Sequence, residues 1–201
     1  MADRWVECLR LCTDVPSVLH CILERSLEIC QSVHGNVQLM NWKGGYLEIK
    51  EQRGFYDEFL RFFERVRLDG PSACARALSS HDRIIVEDVT LDPKFAPCWA
   101  ILQRAGIRAV QSTPLVSTNG ALVGVLSTHF PTPQRPTDLQ MSALRDAANT
   151  AANAIIRLRA KIAGHDDQRL QRSRKLLEES RRTIQRANEV LCRPPPLSIG
   201  R

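Results

Sequence analysis

The sequence predicts an α+β domain built on an antiparallel sheet flanked by helices, with a long C-terminal helical tail. Three observations predict it. Two pairs of alternating segments are each joined by a glycine-bearing turn, the mark of antiparallel hairpins. Segments with apolar residues every three or four positions lie before, between and after those hairpins, without the regular strand–helix–strand rhythm of a parallel sheet. From Thr137 onward the apolar residues settle into a heptad seam.

Residues 1–16 form an N-terminal segment. Over 17–33, Val18, Cys21, Ile22, Leu23, Leu27, Ile29 and Cys30 make one apolar face at helical spacing, with Pro16 and Ser17 suited to the start and His34-Gly35 to the end. Residues 36–42 alternate as a strand, Lys43-Gly44-Gly45 turns, and 46–50 alternates again. Residues 56–66 read as a helix and 71–78 as a second, with Ala73, Cys74 and Ala77 small enough for close packing. Ile84-Ile85-Val86 is a short buried strand, and 89–106 holds a loop and a short helix. Residues 109–116 and 122–130 are two further strands around Asn119-Gly120, the strongest hairpin signal in the chain.

Pro131, Pro133 and Pro136 mark the exit from a domain spanning 17–160. Thr137-Asp138 caps the long helix, whose seam is Met141, Leu144, Ala148, Ala151, Ile155, Leu158 and Ile162. A homodimer through this helix is expected; the alternative is that the seam packs on the domain's own sheet, or that its first half packs inward and its second half dimerises. A basic helical tail follows over 161–193, with Leu170, Leu177, Ile184 and Leu191 seven apart but Ser173, Ser180 and Ala187 between them. The step from Ile162 to Leu170 breaks the register, and Gly164-His165-Asp166-Asp167 is expected to bend or cap the helix there. Residues 194–201 open with three prolines and form an extended end.

Hydrophobic residues make up 43% and charged residues 25%, the balance of a globular chain rather than a disordered one. No apolar run reaches the roughly 18 residues of a membrane span, and the first residues lack the basic start and apolar stretch of a secretory leader, so a cytoplasmic protein is expected. The net charge of +6 is concentrated: residues 157–201 hold 12 Lys or Arg against 5 Asp or Glu, which leaves the rest at −1. A tail of that kind is either a solvated helix face or a surface for an anionic partner: nucleic acid, membrane or acidic protein. The seven cysteines are odd in number and irregular in spacing, which reads as thiols packed as small hydrophobes rather than a disulfide framework. Cys8 and Cys12 share one helix face; the spacing of Cys8, Cys12, His20 and Cys21 fits no usual metal pattern.

Several separated motifs resemble one family. Residues 106–115 (Gly-Ile-Arg-Ala-Val-Gln-Ser-Thr-Pro-Leu), Asn119-Gly120 and 122–130 (Leu-Val-Gly-Val-Leu-Ser-Thr-His-Phe) are similar to the closing strands of bacterial GAF domains. Ile85-Val86-Glu87-Asp88-Val89 with Asp92-Pro93 and Phe95, and Gly35-Asn36-Val37-Gln38-Leu39, resemble the family in the right order, so the likeness covers roughly residues 17–156. The resemblance implies an antiparallel sheet with a ligand pocket on one face and the terminal helices, often dimeric, on the other. It leaves the ligand and any cofactor unassigned, because one fold hosts many functions.

Strand parity puts Val110, Ser112, Val125, Ser127 and His129 on one face, and Gln111, Thr113, Leu126, Thr128 and Phe130 on the other. By resemblance to the phytochromes, distant relatives with a similar run near Gly106, the positions matching Ser112, Ser127 and His129 face the pocket. Asp88, which also suits a loop-fixing role, and Cys98 and Trp99 in the covering segment complete the candidate ligand-binding set.

Covalent bilin attachment is not expected: its cysteine position is Pro97, and Cys98 is followed by Trp99 rather than histidine. A free methionine sulfoxide reductase would use cysteines where Cys74 and Cys98 stand, but its His-Ile-Ala-Cys-Asp signature is absent. His165 lacks the surroundings of a phospho-accepting histidine, and no phosphate-cradling glycine-rich loop exists. The expectation is a non-enzymatic sensor that binds a small molecule and signals through its terminal helices to a separate output protein. The alternatives are a dimerisation module without a ligand, or the reductase.

Overall fold

The computed structural model describes residues 2–191, apart from the side chains of 2–4, 165–167 and 183–191. The proline-rich end at 194–201 and the seam positions Ile184, Ala187 and Leu191 as side chains lie outside what it describes. In chain order the elements are α1 (Ala2–Leu11), α2 (Val15–Cys30), β1 (His34–Asn41), β2 (Tyr46–Arg53), α3 (Asp57–Phe62), β3 (Arg65–Arg67), α4 (Ala73–Ser80), β4 (Ile84–Val86), a 3-10 segment (Pro93–Cys98), α5 (Trp99–Arg104), β5 (Ala109–Val116), β6 (Leu122–Phe130) and α6 (Asp138–Leu191). The six strands form one sheet in the order β3-β2-β1-β6-β5-β4, and every neighbouring pair is antiparallel. The predicted α+β architecture with its long terminal helix is therefore present.

Both faces of the sheet are buried. On one face, Val37, Leu39, Ala109, Leu115, Leu126 and Phe130 meet apolar residues of α1, α2 and the first half of α6. On the other, Met40, Leu47, Val66, Val110 and Val125 meet α3, α4, the 3-10 segment and α5. The period-2 alternation of the central strands β1, β5 and β6 thus separates two cores rather than a core from solvent, while β2 and β3 keep exposed residues at the edge.

Local chemistry sets the helix ends. Asp14 Oδ1 accepts from Ser17 N (2.9 Å) to start α2 two residues earlier than the periodicity predicts, and Gln31 in the left-handed region ends it. Thr137 and Gln140 form a reciprocal cap on α6, with Gln140 N donating to Thr137 Oγ1 (3.3 Å) and Thr137 N to Gln140 Oε1 (2.8 Å). Gln140 Nε2 also donates to Ile29 O (2.8 Å), joining the start of α6 to the end of α2.

Three expectations are corrected. The helix read over 56–66 stops at Phe62, and the chain returns to the sheet as β3, where Val66 pairs opposite Leu47 and covers it. The break at Gly164–Asp167 does not occur, because α6 runs unbroken from Asp138 to Leu191. A single exposed glycine weakens a helix by only about 1 kcal/mol, and no proline stands in that stretch. Finally, the cysteines are not all free: α1 lies across α2, and Cys8 is bonded to Cys21 at a Cα–Cα distance of 6.9 Å.

The chain divides into two compact units, Met1–Leu158 and Arg159–Arg201. In the first, Leu144, Ala148, Ala151, Ile155 and Leu158 of α6 are buried in the domain's own core. In the second, Ile162, Leu170, Leu176 and Leu177 are exposed. No helix among the described residues is long and apolar enough to cross a membrane.

Where β6 passes β1, a Cβ at Gly124 would lie 2.1 Å from the Gln38 carbonyl oxygen. Gly124→Ala is therefore expected to destabilise the domain by ~3 kcal/mol or more through forced separation of the strands, measured by urea unfolding. Gly164, with nothing within 4 Å of its built Cβ, is the contrast: Gly164→Ala should leave the domain unchanged and raise tail helicity in circular dichroism, by up to ~1 kcal/mol of propensity.

Candidate functional site

Asn36 and Gln38 on β1, Ser112 on β5, and Ser127 and His129 on β6 point to the same side of the sheet and line one enclosed cavity. A bulge between Val37 and Gln38 adjusts the register of β1 against β2 at this point. Opposite the strands, Phe59 and Phe63 from the α3 region, Ser72 and Cys74 at the start of α4, and Phe95 form the cover. The free volume is about 30 Å³, the share of one water molecule rather than the few hundred Å³ of a metabolite site.

The aromatic cover is closely packed over the histidine. Phe55 stacks on Phe59 at 4.1 Å between centroids, and Phe59 lies 4.7 Å from Phe63. His129 stands edge-on to Phe55 at 5.0 Å and to Phe59 at 6.2 Å. Burial pushes its pKa down to about 3, with His34 acting in the same direction, so the ring is neutral at physiological pH.

The polar lining is incompletely paired. Ser112 and Ser127, opposite each other in register, share a 2.8 Å hydrogen bond, and Ser72 Oγ lies 3.1 Å from Cys74 Sγ. Asn36 Oδ1, Gln38 Oε1 and His129 Nδ1 are buried without a hydrogen-bond partner. All three belong to the lining of this cavity, and no charged side chain does. Each such group costs about 1–3 kcal/mol when left unsatisfied, so their convergence singles the cavity out.

Of the six candidate residues, Ser112, Ser127 and His129 come together here, and Asp88, Cys98 and Trp99 do not. Asp88 holds its own loop: it accepts from Arg108 Nη2 (2.7 Å), Thr90 Oγ1 (2.7 Å) and Thr90 N (2.9 Å). These bonds, Arg108's foremost, hold its carboxyl down to about 2. Trp99 is 44% exposed, on a different groove beside Arg108 and Pro131. Cys98 is buried in the second core, where burial pushes its thiol up. Asn36 and Gln38 were missed as site residues, although they are polar positions alternating with the apolar Val37 and Leu39 in the middle of β1. Of the aromatic cover, Phe95 lies in the segment that the sequence offers as a lid, whereas Phe59 and Phe63 carry only the spacing of an ordinary helix.

On the opposite face of the same strands, a second polar chain is complete. Gln111 Nε2 donates to Thr128 Oγ1 (3.0 Å), Thr113 Oγ1 donates to Gln111 Oε1 (2.8 Å), and Arg83 Nε donates to Thr113 Oγ1 (2.9 Å). Arg83 Nη2 then reaches Met141 O (2.6 Å) in the first turn of α6. Among the described residues, no group of three or more His, Cys, Asp or Glu is arranged to hold a metal ion.

This arrangement, a curled antiparallel sheet with a cavity on one face and terminal helices on the other, coincides with a family model. The model described as "GAF domain" matches residues 12–156. The chain belongs to the GAF domain family. No curated protein matches it. Among solved structures, this GAF chain is similar to a domain of a putative two-component sensor histidine kinase from Sinorhizobium meliloti, with 22% identity, a TM-score of 0.63, and 74% of this chain and 94% of that one covered. It is also similar to the GAF domain of a phosphoenolpyruvate-protein phosphotransferase from Coxiella burnetii (14% identity, TM-score 0.67, 80% and 94% covered). A third is the free methionine-R-sulfoxide reductase of Neisseria meningitidis (15% identity, TM-score 0.66, 79% and 88% covered). At these identities the likeness is one of fold.

A buried neutral histidine gives the GAF domain a pH signature. The unfolded chain takes up a proton on His129 below about 6.5, whereas the folded chain does not until about 3. Stability is therefore full above the higher value and falls as pH drops through the window, with a slope approaching roughly 1.4 kcal/mol per pH unit. Urea midpoints at stepped pH should show that slope, and His129→Leu should flatten it between pH ~6 and ~4.

Proposed function

We propose that this chain is a sensory GAF protein whose cavity takes a small uncharged ligand rich in hydrogen-bond donors. The observation that carries the reading is the convergence of three unpartnered buried groups, Asn36 Oδ1, Gln38 Oε1 and His129 Nδ1, on one cavity with no charged lining. Two are acceptors and the third is a neutral imidazole, so a donor-bearing molecule satisfies them, whereas an ion would be buried without a counter-charge. A ligand larger than water needs the cover of Phe59, Phe63 and Phe95 to move, which supplies a structural change to report. Sensor-kinase and chemotaxis proteins among the fold neighbours are in keeping with a signalling role.

The route for the signal is the β5–β6 pair. Ser112 and Ser127 face the cavity, and their strand neighbours Gln111, Thr113 and Thr128 face the helices and connect through Arg83 to Met141 O. A shift of this pair would alter the grip on the first turn of α6, which carries the signal to a dimer partner or a separate output protein. The basic tail, with exposed Leu170 and Leu177, is the surface we assign to that partner, in the cytoplasm. Cys74 and Cys98 support binding rather than reductase chemistry, since burial pushes both thiols up and away from the reactive thiolate.

The small volume of the cavity favours one second reading, a dimer platform with no ligand. Matched amide and acid probes decide between them. Acetamide and benzamide should raise the melting temperature of the purified chain, while acetate and benzoate should not, and Ser112→Ala should weaken amide binding by about fivefold, the worth of one hydrogen bond. Equal stabilisation by the acids removes the uncharged-ligand reading, and no stabilisation by any probe favours the platform. Arg83→Leu should leave amide binding intact but abolish the ligand-dependent change in α6 hydrogen exchange; an undiminished change would exclude Arg83 as the connection.

A further inference from the structure

The three N-terminal cysteines take no part in the cavity, yet they converge. Cys8 on α1 and Cys12 just past its end lie one helical turn apart, and both rest against Cys21 in the first half of α2. Cys8 is bonded to Cys21, and Cys12 Sγ lies 3.8 Å from Cys21 Sγ. The Cys12 thiol also donates to Cys8 O (3.3 Å), which holds the third sulfur beside the disulfide. Cys8 is exposed, and Cys12 and Cys21 are partly so. A cleft of about 730 Å³ opens onto Cys8 and Cys21, with Trp5, His20, Glu24 and Arg25 in its walls.

We propose that Cys8, Cys12 and Cys21 form a thiol–disulfide exchange site that clasps α1 to α2 and is served by a small peptide thiol seated in this cleft. The cleft is of a size for a tripeptide, and its walls carry both charge signs, which suits a thiol with carboxylate and ammonium groups. Closing the clasp takes two electrons and two protons from the Cys8 and Cys21 thiols. They pass to a peptide disulfide, which leaves as two thiols; reduction is the reverse.

The third sulfur adds an internal step. Cys12, deprotonated, attacks Cys21 Sγ; the Cys12–Cys21 bond forms, the Cys8–Cys21 bond breaks, and Cys8 leaves as a thiolate that takes a proton from water. No electrons are gained or lost in that exchange. Burial, with Asp14 adding and Ser17 opposing, pushes the Cys12 thiol up, so it waits as the resolving group rather than attacking freely.

The clasp bears on the rest of the domain through packing. α1 carries Leu9 and Trp5 onto the core that α2 shares with Leu144–Leu158 of α6. Releasing the bond loosens α1 over that core.

The test uses the full chain equilibrated in glutathione buffers of stepped oxidised-to-reduced ratio, quenched by alkylation and mapped by peptide mass spectrometry. Cys8–Cys21 should be the principal bond at the oxidising end. Cys8→Ser should give Cys12–Cys21 instead, and Cys21→Ser should give no bond within the set. Amide protection of α1 should be lost on reduction of the unmodified chain, while that of β5 and β6 is kept, which separates release of the clasp from unfolding. The proposal is overturned if all three remain thiols at the oxidising end, if Cys8→Ser forms no Cys12–Cys21 bond, or if α1 exchanges equally fast in both states.

Discussion

The absent side chain at Gly124 lets β6 lie against β1 where any other residue would collide with the Gln38 carbonyl. The rest of the domain depends on that approach. It joins the hairpin β1–β2 to the hairpin β5–β6 at the centre of the sheet and makes one sheet of two local units. It also brings Asn36 and Gln38 of one hairpin beside Ser127 and His129 of the other, so the polar floor of the cavity is created by the same contact that closes the sheet. Fold and site are here one geometric fact, and a substitution that opens this seam would remove both.

Because both faces of the central strands β1, β5 and β6 are buried, each buried polar residue on them needs a specific partner. On the helix side, the need is met within the protein: Gln111, Thr113, Thr128 and Arg83 bond to one another and to the α6 backbone. On the cavity side it is not, and Asn36, Gln38 and His129 keep unpaired atoms. Successive strand residues are only about 3.4 Å apart, so these two polar layers lie back to back through the thickness of the sheet.

Much of this was legible in the sequence, and the reasons differ by element. Asn119-Gly120 fixed one hairpin through turn chemistry, with Gly120 at φ +80°. Alternation then separated Ser112, Ser127 and His129 from Gln111, Thr113 and Thr128 correctly, since strand parity is a property of the backbone alone. The failures share a different character. Val66 has the spacing of a helical residue but is drawn into β3 by the need to cover Leu47. Cys8 and Cys21 meet only because α1 folds back on α2. Trp99 and Cys98 lie in a covering segment that reaches the cavity through Phe95 and Leu102 instead, and the rest of the aromatic cover comes from Phe59 and Phe63, some forty residues earlier. Long-range packing decides such positions, and local pattern carries no record of it.

The placement of α6 limits how any state of the domain can be read from outside. Its first turns are occupied with the protein's own core, where Leu144, Ala148, Ala151, Ile155 and Leu158 face α2 and the sheet. The most regular part of the heptad seam is therefore unavailable to a second copy without unpacking that core. Past the buried stretch, exposed seam positions begin at Ile162 and continue at Leu170 and Leu177, where the intervening Ser173 and Ser180 make a weak seam. Several contacts hold the buried stretch: Arg83 on Met141 O, Gln140 Nε2 on Ile29 O, Thr118 N on Asn153 Oδ1, and the core that α1 covers. All of them act on the stretch of α6 that lies within the domain core, ahead of its exposed apolar positions.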